Sequence, residues 1–451
     1  MESNQKKYGV EEQLTMFKRR RSEIPTAERL QTLQDKLYQK AKQEPNFKFY
    51  ILYDKTFIPY MLKEAWLKVK ATNSAAGVDK QTVADVENYG AEKYLYEIGE
   101  ELRKQTYQPK PIKRIYITKA NGKQRPIGIC CIRDRIVQTV CKLIIEPIFE
   151  TDFMDCSYGF RPKRSSKGAI QGIKEKLQEG KTEIYDADLS SYFDTIPHNK
   201  LYKVLKMRIA DPRLMKLIDK FLKVPIQENG VLKGGKKNKI GVPQGGVLSP
   251  LLANIYMNLI DKAVNKTTGL FYKSGVEIVR YADDFVLMAE DVKDKMLEKL
   301  KELLTRMDVK INEEKTRKIN AKDESFEFLG FTFRYDKDIH GRNARYWNVI
   351  PNKKSINKLK EKIKEILHSS LHYSPDRLVQ KLNELLRGWL NYFDIKGVSY
   401  PACAKREIRY YISTALYQYY NRKSQRKSSL YGQKAFEILV NKYKLIDPTK
   451  Y

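Results

Sequence analysis

Tyr281-Ala282-Asp283-Asp284 puts two adjacent carboxylates between apolar residues, Val279 before them and Phe285-Val286-Leu287-Met288 after. The pattern predicts strand, tight turn, strand, with the acids at the bend. Neighbouring acids repel each other, so a fold keeps them together mainly where cations gather. Hard oxygen ligands suit Mg²⁺, and paired Mg²⁺ ions serve in-line phosphoryl transfer. A solvated Asp-Asp hairpin turn is the alternative. Partners elsewhere in the chain decide between the two.

Two segments supply such partners. Residues 183–189 read as a strand, and 194–206 as a turn leading into an amphipathic segment. Side chains alternate along a strand, so Asp186 and Asp188 share one face. An acid there, beside the Asp283 hairpin, could complete a two-metal site. Between the two acid segments lies Gly241-Val242-Pro243-Gln244-Gly245-Gly246-Val247-Leu248-Ser249-Pro250-Leu251. Ser249 then Pro250 predicts a helix start with a serine N-cap and proline at N1. The glycines before it let backbone approach a ligand closely.

The order of these motifs resembles a bacterial group II intron-type reverse transcriptase and maturase. Further matching segments are Ala76-Gly77-Val78-Asp79, Gly122 through Ile127, Ser157 through Pro162, Asn312 through Thr316, Phe328 through Phe331, and Leu386 through Trp389 with Asn391 through Phe393. They run in family order from about residue 60 to 430. The resemblance implies an α+β right-hand polymerase, fingers and palm, with a C-terminal all-helical thumb or X domain. It implies RNA-directed DNA polymerisation on two Mg²⁺ ions, with Mn²⁺ as a substitute. Asp188, Asp283 and Asp284 are the implied catalytic acids and metal ligands. The family's ligand lies five residues before the aromatic Phe193, which selects Asp188 over Asp186. Phe193 is implied as a steric gate against a ribose 2′-hydroxyl, with plain core packing as its other role. Gln244 and Gly245 are implied to line the dNTP pocket. Lys119 and Arg125 flank an Asn-Gly hairpin turn and are implied to hold the triphosphate, although either could be an ordinary surface charge. Arg280 is read as a strand residue without a role.

Lys and Arg number 86 against 55 acids, a formal charge of +31. That excess fits a polyanionic partner and argues for salt-sensitive binding. A membrane surface is the competing cause, but no apolar run is long enough to span a bilayer. The first residues lack an apolar signal region. Five cysteines show no Cys-x-x-Cys pair and are expected to be reduced core residues of a cytoplasmic bacterial protein. None of the four histidines combines with them at metal spacing, so the HNH-type endonuclease common in this family is expected to be lacking.

The expected organisation is a helical N-terminal extension over 1–70, fingers over 71–175, palm over 176–345 and a helical thumb over 346–451. The last hundred residues carry amphipathic stripes such as Ile356, Leu359, Ile363 and Leu367, with 21 Lys and Arg against 8 acids in 351–451. Candidate nucleic-acid contacts are Lys18, Arg19, Arg20 and Arg21, then Lys358, Lys360, Lys362 and Lys364, then Arg422 and Lys423 in a basic tail. Solvated charge is the alternative for each group. Expected partners are structured RNA, specifically a group II intron RNA, with an RNA template, a DNA or RNA primer, and dNTPs. Splicing assistance and retrohoming go with that reading. A host-adopted polymerase in DNA repair or phage defence is the alternative.

Overall fold

Alternation along one short strand organises the molecule. Glu183–Ala187 lies inside a four-stranded antiparallel sheet, between Asp284–Ala289 on one side and Arg317–Asn320 on the other, with Glu277–Tyr281 beyond the former. The register sets Ile184 opposite Met288 and Ala187 opposite Phe285. Ile184, Val279, Val286 and Met288 therefore enter one core, and Tyr185, Ala187, Ile278, Phe285 and Leu287 enter another. In this computed structural model residues 24–118, 122, 124–337, 344–422 and 430–451 are described.

The core that takes Tyr185 and Phe285 gathers helices Thr26–Gln43, Pro59–Thr72, Ile132–Glu150, Pro212–Leu222 and Ser249–Asn265. Ile132–Glu150 is buried around most of its circumference, as befits a helix surrounded by others. The core that takes Ile184 and Val286 gathers helix Ser166–Gln178, a three-stranded sheet (Phe326–Phe328, Phe331–Lys337, Arg345–Pro351) and helices Lys353–Ser369, Pro375–Phe393, Ala402–Arg422 and Ala435–Tyr443. The acid-bearing sheet is the wall between the two. Lys174 ties helix 166–178 to the C-terminal helices by donating to the Gly397 and Val398 carbonyls, each at 3.0 Å.

A second four-stranded sheet pairs Ile112–Thr118 with Gln124–Ile129 in a hairpin, Thr118 opposite Gln124. Gly122 has φ +77°, a left-handed turn position that suits glycine. The hairpin Ile226–Glu228/Val231–Lys233 joins this sheet, in parallel at Ile112 and Ile226. These residues fall in the sequence range expected for the palm. They pair elsewhere because Ile112, Cys130, Val224 and Ile226 close a small apolar cluster of their own.

Two local expectations differ from the structure. Ser249 does not cap its helix: it is the first helical residue after Leu248, and its hydroxyl donates to the Pro243 carbonyl at 2.7 Å. The serine thus fastens the glycine-rich loop. Cys403 is exposed, whereas Cys130, Cys131, Cys141 and Cys156 are buried and all five are free.

Asp211 anchors the N-terminal part to this body. Its fully buried carboxylate accepts the Leu52 and Tyr53 N–H groups at 2.8 Å and caps helix 212–222 through Arg213 and Leu214. Burial opposes the charge, but the four N–H donors outweigh it and hold the carboxyl below its ordinary range. Asp211→Ala is expected to cost about 3 kcal/mol, because it strands buried donors and a helix end. A depressed pKa contributes stability that is present at neutral pH and lost as pH falls through the folded value, below about 4. Thermal melts of wild type and variant at pH 7 and pH 3.5 check both: their gap should narrow in acid.

Candidate active site

The Asp283 turn is a two-residue connection, with Tyr281 paired to Asp284 across it. Ala282 has φ +60°, a conformation that costs a non-glycine residue about 1 kcal/mol or more. Its backbone is wedged against Gly159, where any Cβ would collide with the Ala282 nitrogen. Asp284 opens the returning strand, so it shares a sheet face with Asp186 and Asp188. The expected strand 183–189 ends at Ala187, and Asp188 leaves the ladder one residue later.

Segment 312–316 clamps Asp188. Asn312 N–H donates to its carbonyl at 2.8 Å, and Thr316 Oγ1 accepts its N–H at 3.3 Å. Lys315 Nζ lies 2.8 Å from Asp188 Oδ2, and Asn312 Nδ2 donates to the same oxygen at 3.2 Å. Asp186 instead faces Arg317 Nε at 3.7 Å. Residues 312–316 match the family in sequence, but nothing in their local pattern shows which distant acid they face, so sequence alone assigned them no role.

Electrostatics mark the cluster as short of positive charge. Desolvation, then the charges of Asp283, Asp188 and Asp186, push Asp284 up to about 6, with Lys315 opposing, although the side chain stays open to solvent. Asp283 is raised, chiefly by desolvation and also by Asp188, while Arg125 and Arg280 pull it back. Arg125, exposed on its strand opposite Ile117, therefore stands within electrostatic reach of Asp283. Carboxylates held above their ordinary range by desolvation and by neighbouring acids fit a divalent cation, which would relieve the repulsion. Among the described residues, no three His, Cys, Asp or Glu side chains are yet gathered at ligand spacing. Asp188 is turned toward Lys315 instead.

Gln244 Nε2 donates to Asp194 Oδ2 at 2.9 Å. Its carbonyl accepts the Gly128 N–H at 2.7 Å, and Gly245, at φ +100°, packs so closely on the Gly128 carbonyl that a side chain would clash. The glycine-rich loop is thus docked on the hairpin that carries Arg125. Burial raises Asp194, and Arg114 and Gln244 oppose it. Phe193 is half-buried, with its ring 5.8 Å from Tyr192 and its carbonyl bonded to Val242 N at 2.6 Å. Lys119 lies outside the described residues.

The basic candidates separate. Lys358 and Lys362 are exposed on one helical face; Lys360 and Lys364 lie on another, as spacing by two along a helix requires. Lys360 is engaged, 2.6 Å from Glu407 and over the Tyr411 ring. Lys364 and Arg422 line one groove with Leu367, His368, Leu371 and Tyr411. Lys18, Arg19, Arg20, Arg21 and Lys423 lie outside the described residues. No helix among the described residues is long and apolar enough to cross a membrane.

Residues 117–333 match the family described as reverse transcriptase (RNA-dependent DNA polymerase), and residues 356–435 match the group II intron maturase-specific domain. Protein YkfC of Escherichia coli K12 is 37% identical over 295 residues, 58% of this chain and 76% of that protein. The group II intron-encoded protein LtrA of Lactococcus lactis is 40% identical over 175 residues, 39% of this chain and 28% of LtrA. A putative COX1/OXI3 intron 1 protein of Saccharomyces cerevisiae is 28% identical over 310 residues, 68% of this chain and 34% of its own length.

The crowding has a measurable cost. A carboxyl whose folded pKa is raised favours the folded state most when protonated; its contribution is present at low pH and lost as pH rises through about 6. Asp284→Asn is therefore expected to raise the melting temperature at pH 7.5 without divalent cations, and to change it little at pH 5. A lower melting temperature at pH 7.5 would contradict the assigned repulsion.

Proposed function

This chain belongs to the group II intron-type reverse transcriptase family, and from that premise we propose that it extends a primer on an RNA template with Mg²⁺ and also binds an intron RNA as a maturase. The observation that carries the polymerase reading is the meeting of Asp188, Asp283 and Asp284 at one end of the sheet, with Arg125 within electrostatic reach. Asp188 and Asp283 hold the divalent cations, and Asp284 supports them. Bound there, such cations lower the pKa of the primer 3′-hydroxyl and neutralise the departing pyrophosphate. Arg125, with Lys119, offsets triphosphate charge as the hairpin closes on the nucleotide. Gln244 and Gly245 form the floor beneath the incoming base and sugar. Phe193 excludes a 2′-hydroxyl by bulk. Lys315 must leave Asp188 for that carboxylate to serve as a ligand. The maturase reading is supported by the 356–435 match and the intron-encoded relatives; the host-adopted alternative has no comparable support.

Asp283→Asn is expected to abolish Mg²⁺-dependent primer extension while leaving template–primer affinity nearly unchanged, and wild-type extension would sink the assignment. Asp186→Asn, which removes the Arg317 pair and one of the charges acting on Asp284, should be far milder. Phe193→Val should raise ribonucleotide incorporation relative to deoxyribonucleotide in competition assays; an unchanged ratio would leave Phe193 a packing residue. For the maturase reading, Lys364→Gln with Arg422→Gln should weaken binding of structured RNA. The slope of log K against log salt should flatten by roughly one unit for each phosphate that the variant no longer neutralises. Unchanged affinity and slope would move the RNA grip elsewhere.

A further inference from the structure

Beneath the Asp283 turn sits a side chain that the reaction does not touch. Arg280 is fully buried, and so is its partner Asp261 on helix 249–265. A guanidinium carries five N–H donors in a fixed plane, and the hydrogen bonds of Arg280 account for all five. Nε donates to Asp261 Oδ1 at 2.8 Å, and Nη2 to Asp261 Oδ2 at 2.5 Å and Ser157 Oγ at 2.7 Å. Nη1 donates to Asn254 Oδ1 at 2.9 Å and to the Ala282 carbonyl at 2.7 Å.

The last of these bonds matters most. The Ala282 carbonyl belongs to the peptide joining Ala282 to Asp283, so Arg280 fixes the plane from which Asp283 departs. It does so where Ala282 is held at φ +60°. Its backbone partners clamp the same turn from the side: Arg280 N–H donates to the Cys156 carbonyl at 2.8 Å, and Tyr158 N–H to the Arg280 carbonyl at 2.9 Å. Asn254 Nδ2 holds the Gly159 carbonyl at 2.7 Å, and Gly159 abuts Ala282.

We propose that Arg280 is a positioning residue for polymerisation: anchored on Asp261, Asn254 and Ser157, it locks the strained Ala282–Asp283 peptide and so sets the direction of the Asp283 carboxylate. Buried ion pairs contribute little net stability compared with apolar packing, which makes a placement role the better account of this one. The inference rests on the reading of Asp283 as a metal ligand.

Lysine keeps the charge beside Asp261 but has three donors and no planar fork, so it cannot reach Asp261, Ser157, Asn254 and Ala282 together. Arg280→Lys should lower kcat by about tenfold or more, with KM for dNTP and template–primer affinity within about twofold, as expected when placement rather than binding is lost. Ala282→Gly added to Arg280→Lys removes the penalty of positive φ, and it should recover kcat at least about threefold. Ser157→Ala, which keeps the ion pair, provides the test if Arg280→Lys does not fold; its kcat should fall while its circular dichroism and melting curve stay close to wild type. A kcat loss that merely tracks the folded fraction, or no recovery in the double variant, overturns the proposal. Asp283→Asn measured alongside separates the two readings. If that variant still extends primers, the metal assignment fails. If it is inactive but neither Arg280→Lys nor Ser157→Ala alters kcat, only the role of Arg280 fails.

Discussion

Asp188, Asp283 and Asp284 carry like charge at the open end of one sheet, where desolvation and neighbouring carboxylates raise Asp283 and Asp284. Left to itself such a cluster would splay or take up protons. The structure counters this with short-range covalent and hydrogen-bonded restraint. Asp283 and Asp284 are adjacent in the chain and cannot separate. Asp188 is held through its backbone by Asn312 and Thr316. The turn is pinned from below by Arg280 and from the side by the 156–159 segment. The repulsion that remains makes the site a good host for divalent cations and a poor contributor to stability, a familiar trade at functional sites.

The two cores follow from the same sheet. A strand buried on both faces needs apolar side chains in both directions, and Ile184 and Tyr185 supply one each. One face seals against helices 26–43, 59–72, 132–150, 212–222 and 249–265, the other against helix 166–178 and the basic C-terminal helices. The acids therefore sit at the seam between the element that carries Arg125 and the part that matches the maturase-specific domain. The formal charge of +31 fits this arrangement: a cluster of carboxylates lies within a body whose overall field attracts nucleic acid.

Much of this was legible in the sequence because its signals are local. Period-two alternation around Asp186 and Asp283 gives the strands, and helical spacing of Ile356, Leu359, Ile363 and Leu367 gives a stripe that the structure buries. What was not legible depends on pairing between distant residues. Ser249 follows the usual form of an N-cap, yet its hydroxyl is used by Pro243 six residues back. The 226–233 hairpin carries no mark of the sheet it joins. Arg280 looks like any charged residue on a strand; only its complete burial among Asp261, Asn254 and Ser157 reveals its place. Lys315 is likewise one lysine among many until the fold brings it to Asp188. Lys358, Lys360, Lys362 and Lys364 stand close together in sequence, but a helical period splits them between two faces.

The most direct test of the central claim is anomalous scattering from Mn²⁺ in crystals of the protein with a template–primer and an incoming dNTP. The account predicts manganese between the Asp188 and Asp283 carboxylates, with Lys315 withdrawn from Asp188. Manganese bound elsewhere, with Lys315 still on Asp188 and the Asp283 carboxylate free of metal, would contradict it.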